Sequence, residues 1–201
     1  MTSNNQASAI WPDLFVSKQF FEPLLCEKIV AEMKIIEGSP STVYGRGSSG
    51  MIDANVRNTL RVRPSNEIMK LVTDRLRACK SNIEKHFAVN LRECEDPQFL
   101  RYREGDFFVA HQDGNTGLLR LDSEHRLIST VIFLSRESDS PGPNAHCGGS
   151  LVFTNLGAPT DRGRFRFSAD PGTLLAFRSE TTHEVTPVTH GERFSIASWY
   201  R

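Results

Sequence analysis

The chain has 201 residues, a formal net charge of zero at pH 7 and 38% hydrophobic residues. This composition predicts one domain over residues 1–201 with a sizeable core. The balanced charge and scattered basic residues argue against nucleic acid or an anionic membrane as a partner. No apolar run is long enough to span a membrane. The polar start lacks the pattern of a secretory signal, so the cytoplasm is the expected location.

Two amphipathic helices are predicted in the first half of the chain, forming a support layer over about residues 20–90. The first follows Pro23, because the fixed φ of proline suits a first helical position, and it ends at the Gly-Ser-Pro segment 38–40. The second begins after Pro64 with Ser65 as N-cap and carries one apolar stripe over about five turns. Between the helices, residues 55–62 alternate polar and apolar side chains, which predicts an edge strand.

From residue 98 onward, short β-rich runs separated by turn residues predict a core of about eight strands over about residues 98–201. The predicted strands are 99–103, 107–111, 127–134, 149–153, 164–167, 173–177, 183–188 and 193–200. The fold class is therefore mainly β with α support (α+β). We expect a double-stranded β-helix (jelly-roll, cupin-like) core with the N-terminal helices packed on one sheet.

Three residues of the predicted core have side chains that are typical metal ligands. His111 and Asp113 lie two residues apart, and in a strand such residues point to the same side. His183 can join them from a distant strand. Two histidines and one carboxylate form the facial triad of non-haem Fe(II) oxygenases, which leaves metal positions open. The other histidines of this half fall in predicted loops and are expected to be solvent-exposed, although His146 could line the site.

A second feature of the predicted core is a carboxylate-binding pair on the last strand. Arg193 and Ser195 share a strand face, and a guanidinium beside a hydroxyl can hold a carboxylate through charge-assisted hydrogen bonds. A buried arginine needs an anionic partner, which a dicarboxylate co-substrate would supply. The alternative is a solvated charge at the start of a strand.

The motifs around these residues resemble those of 2-oxoglutarate- and Fe(II)-dependent dioxygenases, and within that superfamily the prolyl 4-hydroxylase-like branch. The resemblance covers about residues 98–200. The matching motifs are Tyr102-x-x-Gly105-Asp106-Phe107-Phe108-x-x-His111-x-Asp113, Gly148-Gly149-x-Leu151, Gly172-x-Leu174-x-x-Phe177, and His183-Glu184-Val185-x-Pro187-Val188 with Arg193. One departure is Phe133, which stands where oxygen-sensing members carry a second co-substrate tyrosine.

The resemblance implies a role for six residues and a set of cofactors. The implied iron ligands are His111, Asp113 and His183, and the implied co-substrate contacts are Arg193, Ser195 and Tyr102. Fe(II) is the implied metal, 2-oxoglutarate and O2 are the implied co-substrates, and ascorbate stays open as a further cofactor. The implied reaction couples oxidative decarboxylation of 2-oxoglutarate to hydroxylation of a substrate carbon.

Three functions remain open on the sequence alone. The first is hydroxylation of a prolyl residue of a peptide or protein. The second is the same chemistry on a non-prolyl small molecule. The third is a non-catalytic cupin-like module that binds a metal or ligand. The complete triad together with Arg193 weighs against the last. Residues 45–63 and 114–126 are expected to be loops that close over substrate, the alternative being insertions without a role in function. Alternation places Arg57 and Arg61 on one strand face, which makes both candidate substrate-binding residues. The oligomeric state is not indicated.

Overall fold

The computed structural model of the protein describes residues 13–42, 52–114, 125–142, 145–154, 156 and 163–201. Within these ranges there are two helices, α1 (Pro23–Ile35) and α2 (Asn66–Phe87). The strands are β1 (Leu14–Ser17), β2 (Ser39–Pro40), β3 (Arg57–Asn58), β4 (Leu60–Val62), β5 (Gln98–Tyr102), β6 (Phe107–His111), β7 (Ile128–Phe133), β8 (Arg136–Glu137), β9 (Ala145–Gly148), β10 (Leu151–Thr154), β11 (Arg164–Phe167), β12 (Leu174–Arg178), β13 (His183–Val185), β14 (Val188–His190) and β15 (Arg193–Tyr200). The fold is thus mostly β, as predicted.

The described strands form two large sheets and one small one. The first has the order β1-β12-β7-β15-β5-β4-β2, the second β11-β10-β13-β6-β3, and the third β14-β9-β8. Strand neighbours in space are often distant in sequence; β15, for example, pairs with both β5 and β7. Side chains from remote segments therefore meet on one sheet face.

The longest strand, β15, separates two environments through the alternation of its side chains. One set lines an internal cavity and consists of Arg193, Ser195, Ala197 and Trp199. The other set packs in the core beneath the helices and consists of Phe194, Ile196 and Tyr200. The strand thus presents Arg193 and Ser195, together with two apolar residues, to the cavity and three large apolar side chains to the helices.

Both helices cover the outer face of the seven-stranded sheet. The buried face of α2 includes Ile68, Leu76 and Ile83, which belong to the same core cluster as residues of β7, β12 and β15. The Tyr200 hydroxyl donates a hydrogen bond of 2.7 Å to the Leu76 carbonyl, joining β15 to α2. The structure therefore has the predicted helical layer on one sheet. No helix in the described part of the chain is long and apolar enough to cross a membrane.

A second core cluster joins the inner faces of the two large sheets. The seven-stranded sheet contributes Leu100 and Phe177, and the five-stranded sheet contributes Leu151, Phe153 and Val185. Burial of this cluster holds the sheets face to face, with free energy from each apolar side chain removed from water. The cavity described below opens between these two faces, since both sheets supply residues to its wall.

Helix boundaries agree well with the sequence pattern. Ser65 is the N-cap of α2, and its side chain accepts a hydrogen bond from the Ile68 N–H, as predicted. Helix α1 begins at Pro23 but ends at Ile35, before the Gly-Ser-Pro segment. The end of that segment forms β2 instead, pairing with β4 at the edge of the large sheet.

The single edge strand predicted for residues 55–62 is wrong. Arg57 lies on β3, which pairs with β6 in the five-stranded sheet, whereas Arg61 lies on β4, which pairs with β5 in the seven-stranded sheet. Thr59 stands between the two strands, is buried, and donates a hydrogen bond of 3.0 Å to the Arg101 carbonyl. The chain passes from one sheet to the other at this residue, so Arg57 and Arg61 do not share a strand face.

Candidate metal centre

The five-stranded sheet brings two histidines together directly. His111 is the last residue of β6 and His183 is the first residue of β13, and the two are paired in the strand register. Their ring centroids are 4.3 Å apart. Directly opposed residues of antiparallel strands point to the same face, so both imidazoles face one site.

Asp113 reaches the same site without belonging to a strand. Strand β6 ends at His111, so the predicted strand geometry does not extend to Asp113. Its backbone N–H donates to the Ser179 carbonyl at 2.9 Å, and Gln112 Nε2 donates to the Glu180 carbonyl at 2.6 Å. The turn after β12 therefore fixes the segment that carries the carboxylate.

The donor set fits an Fe(II) facial triad. One ligand atom from each of His111, Asp113 and His183 lies within 4.8 Å of the others. The Nδ1 atoms of the two histidines lie 2.8 Å and 2.9 Å from the Val109 and Thr181 carbonyls. A carbonyl only accepts, so each Nδ1 carries the proton and each Nε2 offers its lone pair to the site. This arrangement is typical of metal-ligating histidines.

The electrostatics of the site favour the protonation states that a metal needs. Burial, together with the neighbouring His111, lowers the pKa of His183 to about 4, so its imidazole is neutral at neutral pH. Burial alone would raise the pKa of the Asp113 carboxyl. The effects of His183 and His111 outweigh burial and hold that pKa well below its usual range. At neutral pH the triad therefore offers a neutral His183 imidazole and an anionic Asp113 carboxylate.

Two serines orient Asp113, and neither was singled out from the sequence. Ser129 Oγ donates to Asp113 Oδ2 at 2.8 Å. Ser179 Oγ lies 3.0 Å from Ser129 Oγ, so the two hydroxyls form a chain of hydrogen bonds that ends on the carboxylate. Both serines are almost fully buried. Such partners of a metal ligand fix its orientation and raise metal affinity.

A cavity of about 170 Å³ contains the triad and extends between the sheets. All six predicted metal and co-substrate residues line it, namely His111, Asp113, His183, Arg193, Ser195 and Tyr102. Arg57 also lines this cavity, whereas Arg61 is exposed on the seven-stranded sheet and is not part of the cavity wall. The structure therefore places Arg57 at the site and leaves Arg61 outside it.

Arg193 is a buried cation with no carboxylate partner among the described residues. It is 3% exposed. Its Nη1 donates to Ser195 Oγ at 2.8 Å, and its Cζ lies 5.1 Å from the Tyr102 ring centroid. No carboxylate among the described residues forms an ion pair with it. Burial lowers the pKa of its guanidinium, while Tyr102 and Glu137 partly offset that effect. Because an unpaired buried charge is unfavourable, this end of the cavity suits a carboxylate.

The backbone beside Arg193 makes room for its side chain. Gly149 has a positive φ of 63°, and a Cβ there would lie 3.0 Å from Arg193 Cδ and 2.9 Å from Val188 Cγ2. His146 lies behind this glycine and is 3% exposed, so its expected solvent exposure is wrong. The reason is that it belongs to β9, and its Nδ1 lies 2.9 Å from the Gly148 carbonyl. The described cavity wall does not include His146.

Comparisons with known proteins agree with this geometry. The family model of the 2OG-Fe(II) oxygenase superfamily matches residues 97–201. The chain is 25% identical over 179 residues to a PKHD-type hydroxylase of Acinetobacter baylyi, covering 88% of this chain and 74% of that protein. The fold is similar to that of a Pseudomonas putida prolyl-4-hydroxylase, with a TM-score of 0.67, 21% identity and coverage of 94% and 92% of the two chains.

A further solved structure shares the fold. It is a prolyl hydroxylase from Trichoplax adhaerens in complex with a peptide fragment of the hypoxia inducible factor oxygen degradation domain. Its TM-score is 0.70 at 15% sequence identity, and the match covers 94% of this chain and 83% of that one. At this identity the likeness concerns the fold alone.

Proposed function

Because this chain belongs to the 2OG-Fe(II) oxygenase superfamily and is thus an Fe(II)- and 2-oxoglutarate-dependent dioxygenase, we propose that it hydroxylates a prolyl residue of a peptide or protein. The observation that carries the proposal is the His111, Asp113 and His183 cluster in one cavity with the buried Arg193. The relatives with hydroxylase and prolyl hydroxylase names support the substrate class. The facing sheets would then form the double-stranded β-helix of a single domain.

The chain's own residues would divide the work of this reaction. When bound, Fe(II) supplies the activation of dioxygen that couples decarboxylation of 2-oxoglutarate to hydroxylation. His111, Asp113 and His183 hold the metal. Arg193, assisted by Ser195, binds the far carboxylate of 2-oxoglutarate through charge-assisted hydrogen bonds. The apolar walls of the cavity keep water from the reacting groups.

Arg57 is the residue best placed to bind the prime substrate. Its guanidinium Cζ lies 4.7 Å from the Phe108 ring centroid, and the Phe108 ring stacks on His111 at 3.5 Å. Its Nη1 donates to the Thr42 carbonyl at 3.3 Å, while its buried Nε–H has no partner among the described residues. A substrate carbonyl or carboxylate held by Arg57 would thus lie next to a metal ligand.

Arg57→Ala should therefore raise the KM for the prime substrate by about tenfold or more, the effect of losing a hydrogen bond to a charged group. The affinity for 2-oxoglutarate should not change, because Arg193 binds that molecule. Initial rates over a range of substrate concentrations measure both effects. Arg61→Ala is the matched control and should leave KM unchanged. An equal rise in KM in both variants would show that both arginines bind substrate. An unchanged KM in Arg57→Ala would show that Arg57 does not bind substrate.

The test of the proposed function is a substrate screen with the iron-loaded protein. Proline-containing peptides and free small molecules are supplied with 2-oxoglutarate, and succinate and the hydroxylated product are measured together. We expect stoichiometric product and succinate with a prolyl peptide. Hydroxylation of small molecules only would overturn the prolyl proposal and leave the dioxygenase class intact.

Several sequence-based expectations stay predictions. The loops expected to close over substrate include residues 45–51 and 115–124, which lie outside the described residues. Shortening the loop at 114–126 should leave conversion of 2-oxoglutarate to succinate while substrate hydroxylation falls. The cytoplasmic location is likewise a prediction.

A further inference from the structure

Trp199 lines the cavity that contains the predicted metal ligands. The residue is 6% exposed, and its Nε1 is buried without a hydrogen bond of normal geometry among the described residues. It lies opposite Ser129 in the register of β15 and β7. Paired residues point to the same face, and Ser129 donates to Asp113. The indole therefore faces the carboxylate from the same side as the serine.

The ion pair between Arg126 and Glu95 lies against the face of the Trp199 indole ring. Arg126 lies over Trp199, with its Cζ 3.9 Å from the ring centroid. The same guanidinium donates to both oxygens of Glu95, at 2.8 Å and 2.6 Å, and Arg201 Nε donates to Glu95 at 3.0 Å. Arg126 lines the cavity, and two of its five N–H donors are held by Glu95 in a bidentate pair. The position of Arg126 therefore suits packing against Trp199 better than binding of a ligand.

Burial of an unpaired N–H is unfavourable unless something at the site uses it. The candidate acceptor is Asp113, since both residues line one cavity. Ser129, which lies opposite Trp199 in the strand register, already donates to this carboxylate.

We propose that Trp199 is a positioning residue: its indole N–H donates to Asp113 once the metal is bound, and the Glu95–Arg126 pair holds the indole in place for this. The proposal rests on the metal site and not on the identity of the prime substrate. With Ser129 and Trp199 both donating, the carboxylate would accept two hydrogen bonds from protein side chains. Its rotation would then be restricted, and the geometry of the metal site fixed.

The first test measures metal affinity, with no substrate present. The apo protein is titrated with Co(II), which is followed by its visible absorption. Trp199→Phe keeps an aromatic ring under Arg126 and removes the N–H, so it should weaken Co(II) binding by about tenfold. The matched control is Tyr200→Phe, which removes a buried hydrogen bond to Leu76 on the opposite face of the same strand. It should leave the affinity unchanged.

Equal affinities of the wild-type and Trp199→Phe proteins would overturn the proposal, as would an equal loss in Tyr200→Phe. Arg126→Gln should give a smaller loss, because it removes the support and leaves the N–H. His183→Ala should abolish Co(II) binding. If binding survives that change, the metal site is elsewhere and the proposal is overturned with it.

A second measurement needs no change at the site. The sequence has two tryptophans, so Trp11→Phe leaves Trp199 as the sole source of an indole N–H signal in a nitrogen–proton NMR spectrum. Addition of diamagnetic Zn(II) should slow exchange of this proton with solvent by about tenfold or more, the effect of a hydrogen bond to a charged group. An exchange rate that Zn(II) does not alter would show that the indole only packs against Arg126.

Discussion

His111→Ala, Asp113→Ala and His183→Ala should each abolish the conversion of 2-oxoglutarate to succinate while leaving the protein folded. Each change removes one of three protein ligands, and two ligands hold a divalent ion far less tightly than three. The core beneath the helices does not include the triad, so each variant should keep its fold, although His183→Ala also removes a ring contact with Phe177 in the core between the sheets. Succinate formation at saturating Fe(II) measures the first effect, and thermal unfolding monitors the second.

The matched control for these changes is His190→Ala. His190 is a half-exposed histidine at the end of β14 that pairs with Glu104 at the surface, so its loss should leave turnover unaltered. Near-normal succinate production by a metal-loaded triad variant would contradict the ligand assignment. Asp113→Ala is the most informative of the three because Asp113 lies beyond the strand, held by the turn at Ser179.

The triad was predictable because its signal is chemical and local. A histidine two residues before an aspartate, with a second histidine near an arginine-bearing strand, limits the possible ligand chemistry before any contact is known. Strands β6, β11 and β15 were also predicted with the bounds that the structure has. The pairing of His111 with His183 could not be predicted from the sequence, because strand register is a property of the whole sheet.

The residues around the triad could not be predicted because their sequence signal is weak. Ser129 lies in an apolar strand and Ser179 in the polar turn after β12, and both differ from other buried serines only through their contact with Asp113 and with each other. His146 was expected in an exposed loop because β9 is only four residues long and lies among turn residues. Burial of such short strands is decided by tertiary packing and not by local propensity.

The error at Arg57 and Arg61 has a physical cause. A period of two assigns residues to one face only if they share one continuous strand. The buried Thr59 bonds to the backbone of β5, and the chain changes sheets around it. The alternating pattern of residues 55–62 is therefore that of two short strands on different sheets.

Arg193→Ala should act on the co-substrate and spare the metal. Loss of the guanidinium should weaken 2-oxoglutarate binding by about 1.5–3 kcal/mol, the range for hydrogen bonds to a charged group, because Ser195 alone offers a weaker, neutral contact. Metal affinity should hardly change, since His111, Asp113 and His183 remain. Titration of the metal-loaded protein with 2-oxoglutarate measures the loss, and Arg136→Ala, which removes an exposed arginine outside the cavity wall, is the control.

The stability of Arg193→Ala provides a second and independent expectation. In the absence of 2-oxoglutarate, Arg193 is a buried cation with no ion-pair partner among the described residues. Its removal should therefore cost little stability, because the unfavourable burial of its charge is removed with it. Saturating 2-oxoglutarate should raise the thermal midpoint of the metal-loaded wild-type protein by mass action, and this rise should be much smaller in the variant. Unchanged 2-oxoglutarate affinity together with an unchanged rise in midpoint would refute the carboxylate-binding role of Arg193.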